Sequence, residues 1–147
     1  MFRRPAVTLS LALALVVAPG IAACSSGSAA APPAPSAPAS QPNAPVRVDV
    51  PTWMGVAMSP GTVVIDVRTP EEFADGHVKG SLNIPVESAD FAQRIGELDP
   101  AATYAVYCRS GNRSAVATAE MATLGYAHVY DLEGGYADLD AAGMPTA

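Results

Sequence analysis

From Val46 to the C-terminus, short apolar runs alternate with turn and helix signals. The runs Val46 to Val50, Val63 to Val67, Leu82 to Ile84, Thr103 to Tyr107 and His128 to Leu132 read as strands. Helix signals fall between them. Thr69 is a fitting N-cap for a helix over Pro70 to Asp75: Pro70 takes the first helical position, Glu72 completes a capping box and Gly76 ends the turn. Ser88 is placed to cap Ala89 to Ile95, and Gly125 to close an Ala-rich helix over Ser114 to Leu124. Strands alternating with helices in this way predict an α/β domain, a central and mainly parallel five-stranded sheet with helices on both faces. The unbroken run Val63-Val64-Ile65 suits a central strand.

The residues before Val46 have a different texture. Arg3 and Arg4 precede the apolar run Ala6 to Ala18, which Pro19-Gly20 breaks before Ile21-Ala22-Ala23-Cys24. A charged start, a short apolar middle and a small-residue end are the three regions of an export signal. The apolar run falls short of the roughly 20 residues that a membrane-spanning helix needs. The residues after the paired arginines do not match a twin-arginine motif, which favours the general secretory route. Ile21-Ala22-Ala23-Cys24 resembles a bacterial lipobox, and that resemblance implies a diacylglyceryl group on the Cys24 sulfur and cleavage just before it. An ordinary signal peptide cut near Ala23 is the alternative. Ser25 to Pro45 is built almost wholly from Ser, Ala, Pro and Gly without charge, so it cannot bury a core, and it reads as an extended spacer. The expected organisation is a lipoprotein signal peptide over residues 1–23, a lipidated Cys24 with its linker over 24–45, and a folded domain over 46–147. The expected location is the extracytoplasmic side of a bacterial membrane, held there by the lipid.

Composition changes this picture little. The apolar fraction of 50% is inflated by the alanines and leucines of the first third. The formal charge of −6 becomes −8 if Arg3 and Arg4 are removed by processing. An acidic body without a basic stripe argues against a nucleic-acid partner. Of the two cysteines, the lipobox claims Cys24, which leaves Cys108 with no disulfide partner and no C-x-x-C resolving thiol. A thioredoxin-like oxidoreductase is disfavoured accordingly. Two histidines far apart, without a cysteine pair nearby, call for no metal, and no cofactor motif is present.

The chemistry concentrates in Cys108-Arg109-Ser110-Gly111-Asn112-Arg113, which joins a strand to a helix. A small polar loop can turn its amides inward beneath the sulfur, and the helix that follows points its positive end at the same place. A thiol at a helix N-terminus or beside arginine can fall from a pKa of about 8.5 to about 3.5 to 7.5, making the nucleophilic thiolate dominant. Ligands of open parallel sheets gather at the carboxyl ends of strands, where Cys108, Asp66 and Arg68 all lie. A buried inert cysteine would leave two arginines and a glycine within five residues unexplained.

Two segments resemble a single rhodanese-homology domain over about Val46 to Pro145. One runs Asp66-Val67-Arg68-Thr69-Pro70-Glu71-Glu72-Phe73 and on through Gly76-His77-Val78-Lys79-Gly80-Ser81-Leu82-Asn83-Ile84-Pro85; the other is the Cys108 to Arg113 loop with Ser114 after it. A weaker third segment is Leu132-Glu133-Gly134-Gly135 with Ala142-Gly143-Met144-Pro145. The chain departs from the family at Leu139, where many relatives carry tryptophan in what reads as a packing position. It departs again at Pro51 to Ser59, which is shorter than the usual first helix. The resemblance implies a rhodanese-like fold and a sulfurtransferase. In that reading Cys108 attacks the outer sulfur of a small anionic donor such as thiosulfate, sulfite leaves, and a thiophilic acceptor such as cyanide takes the persulfide sulfur. Arg109, Ser110, Gly111, Asn112 and Arg113 would bind substrate, with Arg109 greeting the anion and Arg113 open to a bracing role.

Four residues separate Cys108 from Arg113. Phosphatases of the same fold place five between cysteine and arginine, so the tighter cradle favours sulfur over phosphate or arsenate. A binding or sulfur-sensing module without turnover is the alternative in another class. Asp66, Arg68 and Glu72 read as structural support: Asp66 accepts nearby amides, and Arg68 pairs with Glu72 or Glu71 to tie strand to helix. His77 reads as a satisfied structural histidine.

Overall fold

The computed structural model describes residues 44–147; the signal and lipobox expectations, and the spacer expectation but for its last two residues, lie outside the described residues. Five strands, β1 (Val46–Val48), β2 (Thr62–Asp66), β3 (Leu82–Asn83), β4 (Thr103–Tyr107) and β5 (Val129–Leu132), form one sheet in the order β1-β5-β4-β2-β3. Every pairing is parallel, with Asp66 beside Tyr107 and Val106 beside Asp131. Five helices connect and follow them: α1 (Val50–Ala57), α2 (Pro70–Ala74), α3 (Phe91–Gly96), α4 (Asn112–Thr123) and α5 (Tyr136–Ala141).

Period-two alternation divides the core. On β4, Tyr104 and Val106 join Ile65, Val67, Phe91, Ile95, Ala117, Met121 and Val129 in a cluster shared with α3 and α4. Ala105 and Tyr107 face the other way and join Val64, Leu132, Trp53 and Leu139 beneath α1 and α5. Both faces are therefore covered, as a parallel sheet requires. Leu139 is fully buried, which agrees with its reading as a packing position. Trp53 brings its polar edge inside as well, and its Nε1–H donates to the Val106 carbonyl at 3.1 Å.

Local chemistry sets most element ends. The Thr69–Glu72 capping box is present in both directions, with both bonds at 3.3 Å. Gly125 closes α4 with φ +91°, a left-handed conformation that suits glycine. Other boundaries moved. The expected strand from Val46 ends at Val48, because Asp49 caps α1 by accepting from the Thr52 amide at 3.0 Å and Pro51 sits in its first turn. The helix expected from Ala89 begins at Phe91: Ser88 bonds the Asp90 side chain instead of capping, and its carbonyl takes the Phe91 amide. Helix α4 starts at Asn112, two residues before the expected Ser114. Helix α5 was not expected at all.

Between β2 and β4 the chain reverses its direction of travel across the sheet, since β2 leads outward to β3 and β4 leads back to β5. The crevice outside the carboxyl ends of these two strands is where such sheets bind ligands. Cys108 follows β4 and Arg68 follows β2 at this edge.

Candidate active site at the Cys108 loop

Cys108 has no exposed surface, so its sulfur lies at the floor of the loop rather than at its rim. Gly111 makes the turn possible: at φ +81° it adopts a left-handed conformation and directs its amide at the Cys108 Sγ, 3.1 Å away. Burial pushes the thiol up, but hydrogen bonds from the Ser110 and Ser114 amides, the Ser114 hydroxyl and the Gly111 amide outweigh it and hold the pKa below the ordinary cysteine value. The N-terminus of the 12-residue α4 adds its partial positive charge at the same point. The result is a shielded anion hole around one sulfur.

The expected site residues separate into groups. Ser110 and Gly111 contribute through their amides. Arg109 has an exposed side chain and lines a cleft of about 380 Å³ with Arg68, Glu72, Asp75, Gly76 and Tyr136. Asn112 opens α4 with an exposed side chain in a neighbouring groove with Val86, Glu87 and Val116. Arg113 lies in the same groove, but its two terminal nitrogens are held by Glu72 at 2.7 and 2.9 Å. That fork braces α4 against α2, and the Arg113 bonds are the main reason that the Glu72 carboxyl sits below its usual range.

The expected pairing of Arg68 with Glu72 or Glu71 is corrected. Arg68 instead returns to its own strand end, where Asp66 accepts from Nε at 3.0 Å and from Nη2 at 2.6 Å. Asp66 also accepts the Arg68 amide at 2.9 Å, as expected of a structural acceptor. Arg68 is only 4% exposed, and Glu72 is already committed to Arg113, so the carboxylate two residues away is the partner that desolvation demands. The guanidinium reaches on to the Gly76 carbonyl at 2.7 Å and stacks over Tyr136 at 4.2 Å. His77 bonds the Phe73 carbonyl through Nδ1 at 2.9 Å and stacks on the Phe73 ring, a satisfied structural role.

Several contributors were not singled out from the sequence. Ser114 stands fully buried behind the sulfur. The Tyr136 amide donates to the Cys108 carbonyl at 2.9 Å, and Gly135 leaves room for that contact: a Cβ there would fall 1.7 Å from the Arg109 carbonyl oxygen. Asp131 and Arg47 lie behind the loop as a pair at 3.4 Å. The double glycine was visible as a family feature, but its contact with Arg109 depends on the fold.

The Rhodanese-like domain family model matches residues 51–142. The chain is 36% identical over 95 residues to thiosulfate sulfurtransferase 16, chloroplastic, of Arabidopsis thaliana, covering 56% of this chain and 77% of that protein. It is 42% identical over 79 residues to thiosulfate sulfurtransferase GlpE of Ectopseudomonas mendocina, covering 53% and 70%. Among solved structures, a rhodanese-related protein from Thermoplasma volcanium superposes with a TM-score of 0.60 at 30% identity, covering 69% of this chain and 96% of that one.

Proposed function

The chain belongs to the rhodanese-like family, and from that membership we propose that it transfers sulfane sulfur on Cys108. The observation that carries this reading is the Cys108 thiol held at the floor of a loop whose Gly111 amide lies 3.1 Å from the sulfur, with its pKa lowered. The thiolate attacks the outer sulfur of thiosulfate, the sulfur–sulfur bond of the donor breaks, and sulfite leaves with its electron pair. One negative charge stays on the new persulfide, where the amides of Ser110, Gly111 and Ser114 and the start of α4 stabilise it. Cyanide or another thiophile then bonds to the outer sulfur and returns Cys108 as thiolate.

Arg109 is the cation for the donor's sulfonate oxygens. It is exposed beside the cysteine and, among the described residues, no acidic group forms an ion pair with it. Arg113 and Arg68 stabilise the architecture instead, since each is engaged by a carboxylate. The test is thiocyanate formation from thiosulfate and cyanide. Turnover by the wild type with none by Cys108→Ser supports the reading, and equal rates overturn it.

The N-terminal signals lead us to propose that this activity works outside the cytoplasm on a lipid tether at Cys24. Loss of membrane attachment in Cys24→Ala is the expected result. Unchanged attachment would rule out the anchor.

A further inference from the structure

The cleft beside the Cys108 loop holds more charge than the sulfur donor uses. Of its charged lining residues, Arg68 is matched by Asp66 at 2.6 Å and Glu72 by Arg113 at 2.7 Å. Arg109 and Asp75 line the same cleft, and both are exposed. Among the described residues, neither of these two side chains enters an ion pair or a hydrogen bond. The cleft is therefore left with one free cation and one free anion. Thiosulfate and cyanide are anions without a cationic end, so Asp75 repels both and has no use in the reaction as described so far.

Tyr136 fixes where these two charges stand. Its amide donates to the Cys108 carbonyl at 2.9 Å, next to Arg109. Its hydroxyl lies against Gly76, next to Asp75, 2.8 Å from the point that a Cβ there would take. Arg68 backs the ring at 4.2 Å and donates to the Gly76 carbonyl at 2.7 Å, which holds this wall in place. The backbones that carry Arg109 and Asp75 are thus separated by the length of a tyrosine side chain, with the cysteine at the Arg109 end. Their own flexible side chains narrow that span to the size of a small ligand.

We propose that the acceptor of the sulfur is a small thiol carrying both a carboxylate and an ammonium group, and that Asp75 is the residue that selects for the ammonium. Arg109 is vacant again once sulfite has left, and its fork suits the acceptor's carboxylate as it suits a sulfonate. Asp75 meets the ammonium at the other end of the cleft. The acceptor's thiolate then attacks the outer sulfur of the Cys108 persulfide. A sulfur–sulfur bond forms to the acceptor, the one to Cys108 breaks, and its electron pair returns to Cys108 as thiolate. The acceptor leaves as a persulfide, and the charge is the same before and after with no net oxidation.

This inference rests on the sulfur-transfer reading, and its test separates the two. The full-length chain is loaded with thiosulfate, freed of donor, and mixed at neutral pH with L-cysteine or N-acetyl-L-cysteine. The second thiol keeps the carboxylate but has no ammonium. Mass spectrometry follows the return of the Cys108 peptide to its unmodified mass. The ratio of the two rates is compared between proteins, so that the intrinsic reactivities of the two thiols cancel. Asp75→Asn is expected to lower the preference for cysteine about 3- to 5-fold, the size of effect that an exposed ion pair gives, and Asp75→Lys to lower it further. A Cys108 that takes up no sulfur overturns the sulfur-transfer reading and this inference together. A Cys108 that loads, with the same ratio in the wild type and both variants, leaves sulfur transfer standing and overturns the acceptor assignment alone.

Discussion

Replacing Gly135 with alanine tests how the active loop is held. The added Cβ would fall 1.7 Å from the Arg109 carbonyl oxygen, 2.5 Å from its carbonyl carbon and 3.0 Å from the Ser110 nitrogen. These are backbone atoms, so no side chain can swing aside. Clearing the oxygen alone to 3.0 Å takes a displacement of about 1.3 Å, shared between the 109–110 loop and the start of α5. The same movement strains the Tyr136 amide bond to the Cys108 carbonyl. Overpacking of this kind costs about 1 to 3 kcal/mol, and misplacing a reactive group by about 1 Å can cost about 100-fold in rate. Thiocyanate formation and thermal unfolding are measured together, with Gly55→Ala as the control. Gly55 lies within α1 with nothing within 4 Å of its added Cβ, so alanine there is expected to be neutral or to stabilise by about 0.5 to 1 kcal/mol. A Gly135→Ala protein with wild-type rate and stability would refute the reasoning.

Three further outcomes follow from the ion pairs and the arginines. Asp66→Ala leaves Arg68 buried without its carboxylate and is expected to cost about 3 to 5 kcal/mol by denaturant unfolding; a loss below about 1 kcal/mol would contradict the buried-pair account. Glu72→Gln keeps an oxygen to accept the Thr69 amide in the α2 cap but removes the charge of the partly exposed fork to Arg113, an expected loss of about 1 kcal/mol at neutral pH after allowing for solvent screening. Because the folded Glu72 carboxyl is depressed, that stabilisation is present above the ordinary glutamate range and is lost as pH falls through the lower folded value. The wild-type advantage should therefore shrink in acid, and a constant difference across pH would contradict the assignment. Arg109→Ala is expected to weaken use of thiosulfate about 10-fold or more with little change in unfolding, checked by kcat/KM.

How much could be read from the sequence depended on how local each feature is. The Thr69–Glu72 cap spans one helical turn, and its residue types alone predict it. The Cys108 turn is equally local, since a glycine between a strand and a helix start supplies the left-handed residue. Arg68 was assigned to the wrong acid because two carboxylates, one before it and one after, were both within reach along the chain. Burial chose between them, and burial is a property of the fold. The Arg113–Glu72 fork joins residues 41 apart, so the alternation of strands brought them near one edge without naming the pair. Helix α5 escaped notice because it has six residues and a glycine N-cap; its start is held by Asp138 accepting the Gly135 amide at 2.8 Å. The Arg47–Asp131 pair is likewise non-local, because it depends on the parallel register of β1 beside β5.

The central claim is that Cys108 carries the sulfur. The most direct measurement is the mass of the Cys108 peptide, taken under non-reducing conditions before and after thiosulfate and again after cyanide. The account predicts one added sulfur atom on Cys108 after thiosulfate, removed by cyanide as an equivalent of thiocyanate. An unchanged mass at Cys108 while thiocyanate still forms would contradict it.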